Sequence, residues 1–320
     1  MARPAVAVVG GGAWGVALAA AAARTGGPTV LVTRRRHEGA LPPGVTVAQD
    51  DRDLGAKARL VVLAVPSSVA HDVARSLGGQ IDGRHYVVHG VRGVVPGAGP
   101  AVGATPALRT ISDVVRRETP ARRVGAIGGP ALASDLLAGR PTVMVCASHY
   151  PEVNRAVVEA LGSPSLRLYE TTDLVGLEWA SALVGCLAIA VGFARGVGLG
   201  PGLLAAFITR AVDEAARLTE AAGGGERTVL GLGGYGDLLA SIAQTERPEV
   251  VLGEALARGK SLTDALAGAG QRVEAVELAG VVAGWAEARG LAAPVFAALA
   301  REVLAGRGSA ALFSELMTAA

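Results

Sequence analysis

Four glycines near the start of the chain, Gly10, Gly11, Gly12 and Gly15, stand at a spacing suited to holding a diphosphate. The run Val9-Gly10-Gly11-Gly12-Ala13-Trp14-Gly15 reads GxGxxG. It joins a β-type apolar stretch, Ala5–Val9, to a helical one, Ala13–Ala23. In that setting Gly10 permits a tight turn, Gly12 lets backbone approach a pyrophosphate, and Gly15 lets the helix pack close to the strand. The helix N-terminus contributes free N–H groups and a positive dipole end. A glycine-rich turn that binds nothing is the plainer alternative, and the strand–turn–helix context argues against it.

The end of the second strand selects the cofactor. NAD sites usually place an acid there to accept from the ribose 2′-hydroxyl. Here Thr33 is followed by Arg34, Arg35 and Arg36, with no acid before Glu38. Guanidinium groups match a 2′-phosphate bidentately. NADP(H) is therefore expected in preference to NAD(H), the alternative being a solvated basic turn. Elsewhere, His89 ends a strand on the cofactor side, where an imidazole could serve as acid or base, although a satisfied core histidine is commoner. His37, His71, His85 and His149 form no constellation, and Glu178 and Asp213 read most simply as helix-end or helix-face residues. Cys146 and Cys186 lack metal spacing, so no metal is expected, and a reducing compartment is the default.

Positioning these groups requires alternating strands and helices. Seven β-type runs, Ala5–Val9, Thr29–Thr33, Leu60–Ala64, Tyr86–His89, Val124–Ile127, Thr142–Cys146 and Leu166–Glu170, are mostly continuous apolar stretches. Such strands are covered on both faces and imply a parallel sheet of βαβ units. From Asp173 onward the pattern is helical, with glycine-rich joints at Gly196–Gly202, Gly223–Gly225 and Gly231–Gly236. The fold class is therefore α/β: a Rossmann-type parallel-sheet domain over 1–171, then an all-helical substrate and dimerisation domain over 172–320. The connection Val91–Leu108 has neither period and reads equally as an active-site flap or a neutral surface loop.

Composition narrows the class further. With 30 basic and 28 acidic residues in 320, the net charge of +2 offers no basic stripe for nucleic acid. Aromatic residues are only 3%, so the core must be built from Ala, Val and Leu. Trp179–Ala194 is uncharged but short of the ~20 residues of a membrane span, and reads as a buried core helix. Glycines interrupt the apolar N-terminal run, so a signal peptide is not expected, and a cytoplasmic protein is. No membrane partner is anticipated.

These features resemble the bacterial NAD(P)-dependent glycerol-3-phosphate dehydrogenases over nearly the whole chain. Gly10 to Ala19 is similar to the family's GAGAWGTALA. Ala64-Val65-Pro66-Ser67 matches AVPS, and Gly129-Pro130-Ala131-Leu132-Ala133 resembles GPxFA. Gly176-Leu177-Glu178 fits GVE, Ile208-Thr209-Arg210 fits ITRG, Gly231 to Leu238 fits GLAGLGDL, and Val273-Glu274 fits the start of VEG. The resemblance implies reduction of dihydroxyacetone phosphate to glycerol 3-phosphate by a homodimer. It implies that Ala13, Trp14, Arg34, Ala133 and Glu274 join Gly10, Gly12, Gly15 and Arg35 around the dinucleotide.

The substrate half departs from the family. Its catalytic lysine, in GALKNV, falls on Val184, and the adjacent Asn on Gly185. The polar residue after GP is Ala131, and the SRN phosphate clamp falls on Arg247-Pro248-Glu249. Lys57 and Lys260, the two lysines of the chain, lie in no matching segment. The resemblance leaves Arg92 as the residue to hold an anion and Asp237 to orient or accept a proton, the alternative for Asp237 being a cap on a helix starting at Leu238. Gly129, Ala131, Ser241 and Arg247 complete the expected substrate contacts. A positioned general acid is worth about 10²–10⁴ in rate, so weak activity or a different substrate is expected. The alternative is an inactive NADP-binding pseudoenzyme with a sensing or scaffolding role.

Overall fold

A computed structural model describes residues 5–34, 41–48, 54, 58–97, 108–244, 246–270, 272–309, 311–313 and 316. The chain divides into two compact units, Met1–Gly93 with Arg109–Glu178, and Val94–Leu108 with Trp179–Ala320.

The first unit is a sheet of eight strands. In chain order these are β1 Val6–Val9, β2 Thr29–Val32, β3 Val45–Ala48, β4 Leu60–Leu63, β5 Tyr86–His89, β8 Arg123–Gly128, β9 Thr142–Ala147 and β10 Leu166–Thr171; β6 Val94–Pro96 and β7 Leu108–Thr110 form a separate two-stranded sheet. The spatial order is β10-β9-β8-β5-β4-β1-β2-β3. From β1 the chain winds outward one way through β2 and β3, and from β4 the other way through β5 and β8. The carboxyl ends of β1 and β4 thus flank a topological switch point, where open α/β sheets bind ligands. Val8 sits in register with Leu31 on one side and Val62 on the other. All three are buried, as strands covered on both faces require.

Helices α1 Ala13–Arg24, α2 Ser67–Gly78, α3 Ile111–Glu118, α4 Ala133–Ala138 and α5 Pro151–Leu161 complete this unit. In α1 residues 15–22 are all buried, so its alanines allow close approach to the sheet. The expected strands are present within a residue or two. Two features differ from expectation. β3 joins the sheet edge, and β6 lies inside the stretch expected to lack periodic structure, whose residues 98–107 fall outside the described ones. The sheet is also not wholly parallel, because β9 runs antiparallel to β8. The chain enters β9 at the end of the sheet where β8 leaves it, and runs back alongside in the opposite sense.

The second unit is helical: α6 Leu174–Gly196 (its first turn belonging to the first unit), α7 Pro201–Ala221, α8 Glu226–Leu230, a π turn at Leu232–Gly236, α9 Asp237–Ile242, α10 Pro248–Ala257, α11 Leu262–Gly268, α12 Ala275–Glu287, α13 Pro294–Ala298 and a second π turn at Leu299–Val303. At 23 residues α6 is longer than its uncharged stretch suggested, and long and apolar enough to cross a membrane. Yet 94% of its most apolar window is buried in the protein, which makes it the core helix of the bundle. Glycines bring α10 against it: a Cβ on Gly253 would lie 2.1 Å from the Ile189 carbonyl oxygen, and one on Gly192 would lie 2.3 Å from that of Val250. Few aromatic rings are needed when backbones meet this closely. Trp179 and Trp285 form one ring contact, with centroids 4.8 Å apart.

Candidate functional site

The glycine turn has the geometry its spacing implied. Gly10 adopts φ +129°, a conformation side chains rarely take, and a Cβ there would lie 2.2 Å from the Ala64 carbonyl oxygen. Its N–H donates to Val32 O at 2.9 Å, tying the turn to β2. A Cβ on Gly15 would lie 1.8 Å from Gly10 O, so α1 rises directly over the turn only because Gly15 has none. Gly11 leaves room for the Thr33 hydroxyl, whose oxygen would be 2.1 Å from a Cβ, a contact no motif announces. Gly12 differs from all of these: a Cβ on it would meet no atom within 4 Å.

Gly12 is the N-cap of α1, with no side-chain cap and no acid in the first turn, while Arg24 sits in the last. Uncapped N–H groups of Ala13, Trp14 and Gly15 at a positive helix end suit an anion rather than a protein side chain. The turn therefore fits a dinucleotide diphosphate. Arg34 is exposed just beyond β2; Arg35 lies outside the described residues.

The end of β5 approaches the same turn. A Cβ on Gly90 would fall 2.6 Å from Trp14 Nε1, so the indole lies against bare backbone. His89, immediately before, is buried and does not stand alone. Its Nε2 lies 2.9 Å from Glu178 Oε1, which also accepts the Ser112 N–H at 2.8 Å. Glu178 stands near the start of α6, a helix-end residue as expected, and its carboxylate is in addition a buried partner of His89. Arg92 follows in the half-buried loop. On the neighbouring strand, Gly129 after β8 has φ +101°, and half-buried Ala131 and Ala133 pack on the core under α1.

The remaining expected residues belong to the second unit. Val184 is 2% exposed on α6, wholly apolar. A Cβ on Gly185 would stand 3.1 Å from that of Ala275 and 3.8 Å from Glu249 Oε1. Asp237 is buried and accepts the Ser241 hydroxyl at 3.3 Å. It is the first residue of α9 rather than its cap, a position held by Gly236, because the preceding π turn feeds into the helix without a break. Arg247, the N-cap of α10, donates from Nε to Glu249 Oε2 at 2.7 Å, so part of its guanidinium is committed to an adjacent acid. Glu274 is half-buried at the N-cap of α12. Asp237 and Ser241 are thus brought together, as are Arg247 and Glu249. Glu249 is a charged neighbour of position 185 that the sequence did not single out.

A glycine turn at the switch point of a twisted α/β sheet, followed by a mostly helical unit, defines a Rossmann-type two-part protein. Residues 37–154 match the N-terminal domain of NAD-dependent glycerol-3-phosphate dehydrogenase and residues 173–311 its C-terminal domain. The chain belongs to this family. It is 34% identical to the glycerol-3-phosphate dehydrogenase [NAD(P)+] of Xanthomonas oryzae pv. oryzae, covering 94% of this chain and 90% of the relative. Against that of Nitrosococcus oceani the identity is 31%, with the same coverage. The glycerol-3-phosphate dehydrogenase of Coxiella burnetii superposes with a TM-score of 0.85 at 26% identity, over 99% of both chains.

Proposed function

We propose that this chain is an NAD(P)-dependent oxidoreductase that interconverts a small ketone and its alcohol. The family pair, dihydroxyacetone phosphate and glycerol 3-phosphate, comes first, turned over weakly or displaced by another substrate. The observation that carries this reading is the turn at Gly10, Gly12 and Gly15: two of these positions exclude any side chain, while the third faces open space at an uncapped helix end. NADP(H) is preferred to NAD(H), on the strength of the arginine at the end of β2 and the lack of an acid there.

In this reading, residues 1–171 hold the dinucleotide, and 172–320 hold the substrate and the dimer contact of a cytoplasmic homodimer. The bound nicotinamide supplies or removes a hydride. Ala13, Trp14 and Gly15 offer backbone N–H groups to its diphosphate, and Arg34 and Arg35 meet the adenosine end. Ala133 and Glu274 complete the cofactor contacts. Arg92 holds an anionic substrate group; its guanidinium stays charged and is a poor proton donor. Asp237, which accepts the Ser241 hydroxyl, orients a substrate hydroxyl or accepts its proton. Gly129, Ala131, Ser241 and Arg247 border the substrate. Val184 supplies neither proton nor charge, which is why weak turnover or a changed substrate follows.

NADPH fluorescence titration, then NADPH oxidation with dihydroxyacetone phosphate present, tests the reading. Binding followed by oxidation supports it, and absence of binding at millimolar dinucleotide removes it. Binding without turnover on any small ketone favours the second reading, a non-catalytic NADP-binding protein. One observation speaks for that alternative: Val184, which the resemblance aligns with the family's lysine, is buried in an apolar helix, next to a glycine packed on Ala275.

A further inference from the structure

We propose that His89 and Glu178 are positioning residues of this site, holding the segment Gly90–Gly93 and with it Arg92. The inference rests on the proposed oxidoreductase reading, in which Arg92 meets an anionic substrate.

One buried carboxylate ties three distant pieces of the first unit together. Glu178 Oε1 accepts from His89 Nε2 at 2.9 Å and from the Ser112 N–H at 2.8 Å, joining the end of β5, the start of α3 and the first turn of α6. A carboxylate can only accept, so the imidazole hydrogen facing it sits on Nε2. The two side chains are 1% and 0% exposed. The segment following His89 is pinned at both ends. Gly90 packs on the Trp14 indole and on Ile127. Gly93 is so close to Glu178 that a Cβ would lie 2.4 Å from its carbonyl oxygen, and Gly93 O accepts the Ile111 N–H at 3.2 Å. Arg92 is the one long side chain between these clamps.

Stability alone does not call for such a pair. Buried ion pairs replaced by well-packed apolar residues often leave a protein as stable or more so. Here the polar arrangement is also incompletely satisfied: among the described residues His89 Nδ1 and Glu178 Oε2 have no hydrogen-bond partner. A pair that carries such a cost and still links three segments acts by selecting one backbone arrangement. Its burial keeps it from touching substrate or cofactor, so its effect passes through Arg92.

The test uses the full-length chain with His89→Leu, His89→Gln and Glu178→Gln. Gln at 89 keeps an N–H donor for Glu178, and Gln at 178 keeps shape and an acceptor for Ser112 while losing the charge. Glycerol 3-phosphate affinity is measured on NADP⁺-loaded protein by calorimetry, and hydrogen exchange is followed over residues 89–93 and 111–115. Expected is a ~10–100-fold loss of glycerol 3-phosphate affinity in His89→Leu, the scale of a misplaced binding group. NADPH affinity should change far less, exchange over both segments should quicken, and His89→Gln should recover much of the loss. Wild-type affinity and exchange in His89→Leu, or no recovery in His89→Gln, overturns the proposal. If His89→Leu does not fold, Glu178→Gln decides by the same two measurements. If the wild-type protein itself binds no glycerol 3-phosphate, the anion reading of Arg92 falls; exchange unchanged across the variants would then overturn the positioning role separately.

Discussion

In the proposed cofactor site Gly15 and Arg34 would serve one ligand in different ways. Gly15 acts by what it lacks. In Gly15→Ala the methyl would lie 1.8 Å from Gly10 O, so α1 must move off β1. Overpacking of this kind costs about 1–3 kcal/mol, and Gly15→Ala is expected to lower the melting temperature and weaken NADPH and NADH alike. Arg34 acts by a charge it presents to solvent. A charge-assisted hydrogen bond is worth about 1.5–3 kcal/mol, so Arg34→Ala should raise the NADPH Kd about tenfold or more and leave NADH nearly unchanged. Equal losses for both dinucleotides in a fluorescence titration would remove the NADP preference. The backbone geometry of the glycine turn was legible because consecutive residues determine it. The pairing of His89 with Glu178 was not, because 89 residues separate them and only the folded sheet brings them together.

Among the elements, α6 and its neighbours define what the second unit tolerates. The double substitution Val184→Lys with Gly185→Asn would put an ammonium in an apolar helix and an amide at a position where even a Cβ stands 3.1 Å from Ala275. Burying an uncompensated charge is costly, so the double variant should lose several degrees in a thermal melt rather than gain activity. Increased NADPH oxidation with dihydroxyacetone phosphate would contradict this. At the start of α13, buried Glu214 accepts the N–H groups of Val295 and Phe296, each at 2.9 Å. Burial raises its carboxyl from 4.5 to about 7, against the opposing pull of those two donors. With a folded value above the unfolded one, the folded state binds the extra proton between about pH 4.5 and 7. The associated stability is complete below that window and lost as pH rises through about 7. Glu214→Gln has no such titration and one acceptor fewer, so the melting-temperature advantage of the wild type should be largest near pH 5 and shrink toward pH 8. A gap independent of pH would refute it. Most strands were legible as apolar runs. The edge strand β3, half exposed, and the antiparallel pairing of β9 with β8 were not, since β3 lacks a continuous apolar run and a strand's direction is set by its partners rather than by its own residues.

For the molecule as a whole, the proposed dinucleotide site makes ligand effects strongest in the first of the two compact units. A ligand bound only by the folded state stabilises it by about 2.7 kcal/mol at a hundredfold excess over Kd. NADPH should therefore slow hydrogen exchange in the core of the first unit, in β1, β4 and α1, more than in α7. Uniform protection across both units would argue against a site centred on the glycine turn. The division into a sheet half and a helical half was readable from the change of periodicity near residue 171. The assignment of 94–108 to the helical unit was not, because a short strand within an aperiodic stretch has no signature of its own.

The two cysteines have a practical consequence. Cys146 lies in the sheet and Cys186 in the central helix, each buried, each the lone thiol of its unit. Burial pushes both thiols up, that of Cys146 to about 12. An alkylating reagent therefore meets an inert native protein and modifies each sulfur only when the surrounding half opens. Mass spectrometry of the two tagged peptides would clock the breathing of either half independently, with no label engineered into the chain.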